Sequence, residues 1–486
     1  MPRCRWAGAT VVAWLGLAAS LAAADRPNIL FVFTDDQAPW ALGISGHPHA
    51  RTPVLDRLFR EGAWLKSCFT TTPVCSPSRA ALMTGRYGTE VGITDWLHPR
   101  REPKHGLAAG TPTWPRLLQQ AGYRTALVGK WHLGLTDAQH PTRFGYGHFY
   151  GFRGGGTRPK DAVLEVDGTT VKVPGLLPDV LTSEAIRWIS REDPRPFLLS
   201  LHYRAPHSPW LPVAEEDWEP FAGLDPTLPH PDYPDLDTRR VKRMTREYLA
   251  SMKSVDRNVG RLLAALRSHG LERETVVIYS SDHGYNMGHN GIFHKGNGHW
   301  VLKNPPPAVP NIPRGQRPNM YDHSLRVPTA IRWPGVVRSG LTLDQTISNL
   351  DFFPTILAIA GVSLPPGTQQ RGRSFLPLLK GEQMEWQNDL FAQYDTKHQS
   401  RTSMRMYRTR RWKLVRDFLN PGRDEMFDLR KDPGETSNLL KKSTPAVQMI
   451  RDRLSDKLVA RMRAIKDPAL SRQPAGKPKK QTRSTR

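Results

Sequence analysis

The chain has 486 residues, 38% of them hydrophobic and 9% aromatic, with 14 Trp; it is too long for one small core and too apolar for wholesale disorder. A net charge of +24 favours anionic partners without choosing among them, because a basic solvated surface has the same composition. The 43 prolines argue for long ordered loops around a core and against a plain helical bundle.

Residues 1–24 read as a secretory signal. Arg3 and Arg5 supply a basic start, residues 7–21 are mostly apolar, and Ala22-Ala23-Ala24 offers small residues for cleavage before Asp25. A retained membrane anchor is the alternative, but the apolar run is shorter than the ~20 residues a span needs. No later stretch is apolar enough to cross a bilayer, so an exported location, periplasmic or secreted, is expected. Of the three cysteines, Cys4 lies in this signal. Cys68 and Cys75 could close a small disulfide loop in an exported chain; if Cys75 carries chemistry instead, Cys68 is a buried free thiol.

Residues 28–34, NILFVFT, form an unbroken apolar run, as expected of a strand buried on both faces of a parallel sheet. Similar runs at 125–128, 197–201, 275–279 and 327–331 alternate with helical patterns at 53–62, 113–121 and 244–269. The alternation predicts an α/β fold: a large mixed, mostly parallel sheet between helices. The Pro-rich stretch 296–318 reads as an ordered loop over a site. Past residue 381 the pattern changes to short antiparallel strands at 411–417 and 424–429 and an amphipathic helix at 446–465. The expected organisation is a catalytic α/β domain over 25–381, a small C-terminal α+β subdomain over 382–471, and a basic disordered tail over 472–486.

Two of the apolar strands end in acids, Asp35-Asp36 and Asp282-His283. Ligands of open α/β sheets gather beyond the carboxyl ends of strands, and three carboxylates meeting there would repel unless a hard divalent cation compensated them. One such acidic end alone is more often a cap or loop carboxylate; two on central strands point to a metal. Between them lies Cys75-Ser76-Pro77-Ser78-Arg79. Ser76 suits an N-cap and Pro77 the first helical position, which puts Cys75 just ahead of a helix start where backbone N–H groups favour an anion. Arg79 adds a guanidinium one turn in. A cysteine there is a nucleophile candidate, as in cysteine phosphatases, yet those do not need three carboxylates beside the thiol.

The segments C-S-P-S-R and L-M-T-G-R (residues 75–79 and 82–86) resemble the signature of the type I sulfatases of the alkaline-phosphatase-like superfamily. Residues 122–132, GYRTALVGKWH, resemble the second signature of that family, and Asp35-Asp36, Pro206-His207-Ser208-Pro209, Asp282-His283-Gly284 and Leu325-Arg326-Val327-Pro328 follow in its order. With the late residues Phe427 to Leu439, the resemblance spans about 27–439. It implies that Cys75 is oxidised to formylglycine by a formylglycine-generating enzyme, which reads Pro77 and Arg79. The hydrate then attacks sulfur with one hydroxyl, and loss of a proton from the other lets sulfate leave by C–O cleavage.

By the same resemblance Asp35, Asp36, Asp282, His283 and the modified Cys75 hold one divalent metal, usually calcium, which polarises the sulfate. Arg79 and Lys130 anchor hydrate and sulfate, His132 takes the proton, and His207 with a lysine serves the leaving oxygen. Two departures stand out. The fourth metal position is often Asn in the family and is His283 here, so another divalent ion could replace calcium. The late lysine is either Lys295, chosen on local context, or a position filled by Arg317.

The implied activity is hydrolysis of a sulfate ester, with a sulfated carbohydrate or an aryl sulfate as substrate. Formylglycine-dependent phosphodiester or phosphonate hydrolysis is the enzymatic alternative, and binding of sulfated polysaccharide without catalysis the other. A nucleic-acid role has only the basic tail in its favour, without an aromatic-basic motif, so no nucleic-acid partner is expected.

Overall fold

The computed structural model describes residues 26–166 and 168–471. The signal and the basic tail read from the sequence lie outside the described residues.

The central sheet has ten strands: β1 (Asn28–Thr34), β2 (Ala63–Leu65), β3 (Arg124–Lys130), β4 (His148–Phe152), β5 (Val163–Val166), β6 (Thr169–Lys172), β7 (Phe197–His202), β8 (Thr275–Ser281), β9 (Ala330–Arg332) and β10 (Leu341–Leu343). Their order across the sheet is β10-β2-β9-β8-β1-β7-β3-β4-β5-β6. The five middle strands, β8-β1-β7-β3-β4, run parallel, while β9 pairs antiparallel with both neighbours and β5–β6 close the far edge antiparallel. Seven helices matter for the site: α1 (Pro53–Glu61), α2 (Cys75–Thr84), α3 (Trp114–Gln120), α4 (Leu177–Ile189), α5 (Thr238–Ser268), α6 (Phe352–Ile359) and α7 (Pro445–Ala464).

The run NILFVFT explains the layering. All seven residues of β1 are buried, and because side chains alternate across a strand, Leu30 and Val32 pack with α1, α4 and α5 through Leu58, Leu181 and Tyr248. Ile29, Phe31 and Phe33 face the other way, onto Met83 of α2, Leu118 of α3 and Phe352 of α6. Each such side chain contributes roughly 1.5–3 kcal/mol, so both helical layers are fixed by the central strands.

A second, antiparallel sheet of four strands follows: β11 (Leu390–Tyr394), β12 (Met404–Arg408), β13 (Trp412–Asp417) and β14 (Glu425–Asp428). The sequence signal gave only the last two. Leu454, Leu458 and Met462, spaced four apart on α7, pack on Leu414 and Met426 of this sheet. Leu390, Ala392 and Met406 pack instead against Phe69 and Val74, so the small sheet buttresses the chain leading into Cys75.

Three expectations need correcting. Helix α2 starts at Cys75, with Val74 as an N-cap that makes no side-chain bond; Ser76 Oγ accepts from Leu97 N at 3.0 Å instead, so the hydroxyl is spent on a loop. Cys68 and Cys75 are both free and buried, which removes the disulfide alternative. The Pro-rich stretch 296–318 is not wholly irregular, because His299–Trp300 pairs with Ile292–His294. Only its first residues reach the Cys75 cavity; the rest lines a different one.

Candidate active site

The carboxyl ends of β1 and β8 lie side by side, in register from Asn28↔Thr275 to Thr34↔Ser281. This brings Asp35, Asp36, Asp282 and His283 together, all fully buried. Asp36 holds a left-handed φ of 69°; its N–H donates to Asp282 Oδ1 at 3.2 Å, and its carbonyl accepts from Tyr248 Oη at 2.7 Å. Tyr248, from the long helix α5, is a support that no motif announced.

Cys75 Sγ points into this group, 3.5 Å from Asp35 Oδ1, 3.4 Å from His283 Nε2 and 3.0 Å from Lys295 Nζ. Each carboxylate has its own cation. Lys130 Nζ donates to Asp35 Oδ2 at 2.6 Å, Lys295 Nζ to Asp36 Oδ1 at 2.6 Å, and Arg79 Nε to Asp282 Oδ2 at 3.0 Å. Of the two residues the sequence offered for the late basic position, Lys295 is the one beside Cys75. Arg317 is elsewhere, paired with Glu425 and with the Tyr321 hydroxyl at 2.9 Å.

The electrostatics separate the groups into roles. Burial would raise Asp35 and Asp36, but Lys130 beside the first and Lys295 beside the second hold both well below the usual carboxylate range. Asp282 is pushed up to about 7 by burial and by the charge of Asp35. Burial and Asp35 also raise the Cys75 thiol. His132 and His207 are held neutral by burial, His207 down at about 4.

Hydrogen-bond geometry fixes the histidine tautomers, because a carbonyl can only accept. His132 Nε2 donates to Leu97 O at 3.3 Å, which leaves a buried Nδ1 without a partner and free to take a proton. His207 Nδ1 donates to Ser208 O at 2.7 Å, and its Nε2 stands 4.0 Å from Asp36 Oδ2. His283 Nδ1 donates to Gly284 O at 3.0 Å. With burial keeping that ring neutral, its Nε2 lone pair faces Asp36 Oδ1 at 3.2 Å and Asp282 Oδ1 at 3.3 Å. A lone pair set against carboxylate oxygens is unfavourable unless a cation lies between them.

A divalent ion fits this arrangement on two further counts. Asp36 Oδ2 is buried without a hydrogen-bond partner, and ligand atoms of Asp35, Cys75, Asp282 and His283 all lie within 4.8 Å of one another. A second such group joins Asp35, Asp36 and Cys75 to His207, which the sequence had placed only at the leaving oxygen.

Cys75, His132, His207 and Lys295 open onto a cavity of 450 Å³, also lined by Trp96, Gly154–Gly156, His294, Asn297 and Gln399. A Cβ at Gly155 would lie 2.7 Å from the His132 ring, so a side chain there would displace that ring. These wall residues carry no motif, and only Asn297 lies in a stretch, 296–318, that the sequence marked as a loop over a site.

Fold and site together define a class: an α/β-sheet hydrolase whose strand-end carboxylates suit a cation and whose helix start presents residue 75 to an anionic ester. The sulfatase family model matches residues 27–362, and the model for the C-terminal region of N-sulphoglucosamine sulphohydrolase matches 316–464. The chain belongs to the sulfatase family and is a sulfuric ester hydrolase. It is 28% identical to an N-acetylglucosamine-6-O-sulfatase of Bacteroides thetaiotaomicron, over 86% of this chain and 83% of that protein. It is 28% identical to the steryl-sulfatase of Homo sapiens, over 76% and 73% of the two chains. A solved structure described as bound to its substrate D-glucosamine-2-N,6-O-disulfate superposes with a TM-score of 0.79 at 26% identity, covering 92% of this chain and all of that one.

Proposed function

We propose that this enzyme, exported through residues 1–24, releases inorganic sulfate from a sulfated carbohydrate at a single site where Cys75 is converted to formylglycine by a formylglycine-generating enzyme. The sulfatase domain corresponds to 25–381 and its buttress to 382–471. Cys75 Sγ marks where an oxygen of the formylglycine hydrate would sit. Asp35, Asp36, Asp282, His283 and residue 75 would hold one divalent ion, calcium by family habit; when bound, the ion supplies positive charge to the sulfate oxygens.

The rest follows from the chain's own side chains. Lys130 and Lys295 already balance the aspartates, so bringing in a cation together with an anionic ester leaves the site near neutrality, which lowers the cost of burying both. Arg79, bound to Asp282 and to Lys130 O at 3.2 Å, is fixed before substrate arrives and spends no entropy on orientation. His132 Nδ1 is the acceptor with capacity to spare for the hydroxyl proton of residue 75. His207 Nε2 stands by Asp36 at the cavity wall, where the leaving oxygen would lie.

The observation that carries this reading is the convergence of residues from β1, α2, β3 and β8 on Cys75 Sγ. The carbohydrate is supported by the two saccharide-acting relatives above. The test is turnover of an aryl sulfate against an aryl phosphate diester by enzyme produced with a modifying enzyme. Preferred sulfate release supports the reading, and preferred diester cleavage replaces it with phosphodiester hydrolysis on the same site.

A further inference from the structure

Two segments remote in sequence form the outer wall of the Cys75 cavity. One carries Trp96, the other Gln399. They are stitched together by one buried carboxylate: Asp95 Oδ1 accepts from Trp96 N at 2.9 Å and from the Tyr394 hydroxyl at 3.2 Å, while Oδ2 accepts from Lys397 N at 2.7 Å. The Trp96 indole is held by His98 at 4.8 Å and His398 at 4.9 Å between ring centroids. A large aromatic is thus kept in place at a cavity mouth, although nothing in the chemistry of sulfate transfer asks for one.

A chain of amides completes the wall. His294 Nδ1 lies 2.8 Å from Asn297 Oδ1, and since an amide oxygen only accepts, Nδ1 carries the proton. Asn297 Nδ2 donates to Gln399 Oε1 at 2.9 Å. This order leaves two groups for the cavity. They are the unprotonated Nε2 of His294, an acceptor, and the Nε2 amide of Gln399, a donor. An acceptor and a donor beside an aromatic plane match a sugar ring, whose hydroxyls both donate and accept and whose C–H face packs on indole. A flat aryl or sterol group offers neither polar group a hydrogen-bond partner.

We infer that Trp96, His294 and Gln399 form a saccharide-reading subsite for the leaving group, with Asp95 and Asn297 as positioning residues. The inference rests on the sulfatase reading of the Cys75 site and names its substrate class from this chain's own wall.

The experiment compares kcat/KM on p-nitrophenyl sulfate with that on a panel of sulfated mono- and disaccharides, for the mature enzyme and for Gln399→Ala, Trp96→Ala and Asn297→Ala. Gln399 is exposed, so its truncation leaves the fold intact even if Trp96→Ala does not. The best saccharide should exceed the aryl sulfate in kcat/KM. The saccharide-to-aryl ratio should fall about 10-fold in Gln399→Ala and more in Trp96→Ala. In Asn297→Ala the loss should reside in KM with kcat retained, as expected when ground-state binding is removed. Release of sulfate from the aryl ester but from no saccharide overturns the inference and spares the sulfatase reading, as does a ratio unmoved in Gln399→Ala. Release from neither ester class removes the reading beneath it.

Discussion

Of the cavities among the described residues, two of nearly equal volume, 450 Å³ at Cys75 and 460 Å³ between the Pro-rich stretch and the small sheet, differ in what their charges have left to do. In the second, Arg317 is committed to Glu425 and Arg423 to Asp417. Around Cys75 the ion pairs are equally close, yet Asp36 Oδ2 and His132 Nδ1 remain unpartnered and the His283 lone pair faces carboxylates. Neither volume nor unpartnered polar atoms alone mark the site, since Asn290 Oδ1 and Gln316 Oε1 at the second cavity are also buried without partners; among the described residues, what sets the Cys75 cavity apart is that metal-ligating atoms of Asp35, Asp36, Cys75, His207, Asp282 and His283 gather beside it.

The largest contrast should come from the cation. Dialysis against a chelator should abolish sulfate release, on the order of 10³-fold, and lower the melting temperature by ligand linkage, with both restored by calcium. Full activity after exhaustive chelation would break the account of the Asp35, Asp36, Asp282 and His283 cluster. Next, Lys295→Ala should reduce kcat/KM roughly 10²- to 10³-fold, leaving Asp36 buried with one counter-charge fewer. An effect below about 3-fold would remove Lys295 from the account of turnover.

A pH titration of stability sharpens the comparison at the cavity rim. Burial raises Asp95 to about 7 from an ordinary 3.8. The folded state therefore holds that proton more tightly than the unfolded chain, so the contribution of Asp95 to stability is fully present below about pH 4 and is lost as pH rises through 7. Removing the titration with Asp95→Asn should flatten that slope by roughly 2–4 kcal/mol in chemical denaturation at stepped pH; equal slopes would contradict it. The smallest effect is expected at the second cavity. Arg317→Ala should cost about 1–3 kcal/mol of stability through the stranded Glu425, with kcat/KM per folded molecule unchanged.

How much of this was legible in the sequence depended on range. Runs such as NILFVFT disclosed the central strands because a strand buried on both faces needs continuous apolar residues, and β1, β7 and β8 are buried throughout. The strands β11 and β12 were not read: β12 is MRMYR, whose Arg405 is buried through ion pairs with Asp395 and Asp467 at 2.9 and 2.6 Å, and no local pattern announces a charge that is matched 62 positions away. The motif-borne residues Asp35, Asp36, Cys75, Arg79, Lys130, Asp282, His283 and Lys295 are joined by a continuous set of direct contacts. His132 and His207 border the same cavity. Trp96, Asn297 and Gln399 carry no motif, since a cavity wall is assembled by loops whose meeting depends on tertiary contacts such as those of Asp95. The start of α2 was misjudged because Ser76 was read as a cap by residue type, whereas its hydroxyl is engaged by Leu97 N.

The central claim is that residue 75 works as an aldehyde hydrate among strand-end carboxylates, and mass spectrometry of the peptide containing it tests this most directly. Enzyme co-produced with a formylglycine-generating enzyme should show formylglycine at 75 in proportion to its sulfate-releasing activity. An intact Cys75 thiol in fully active enzyme would contradict the account.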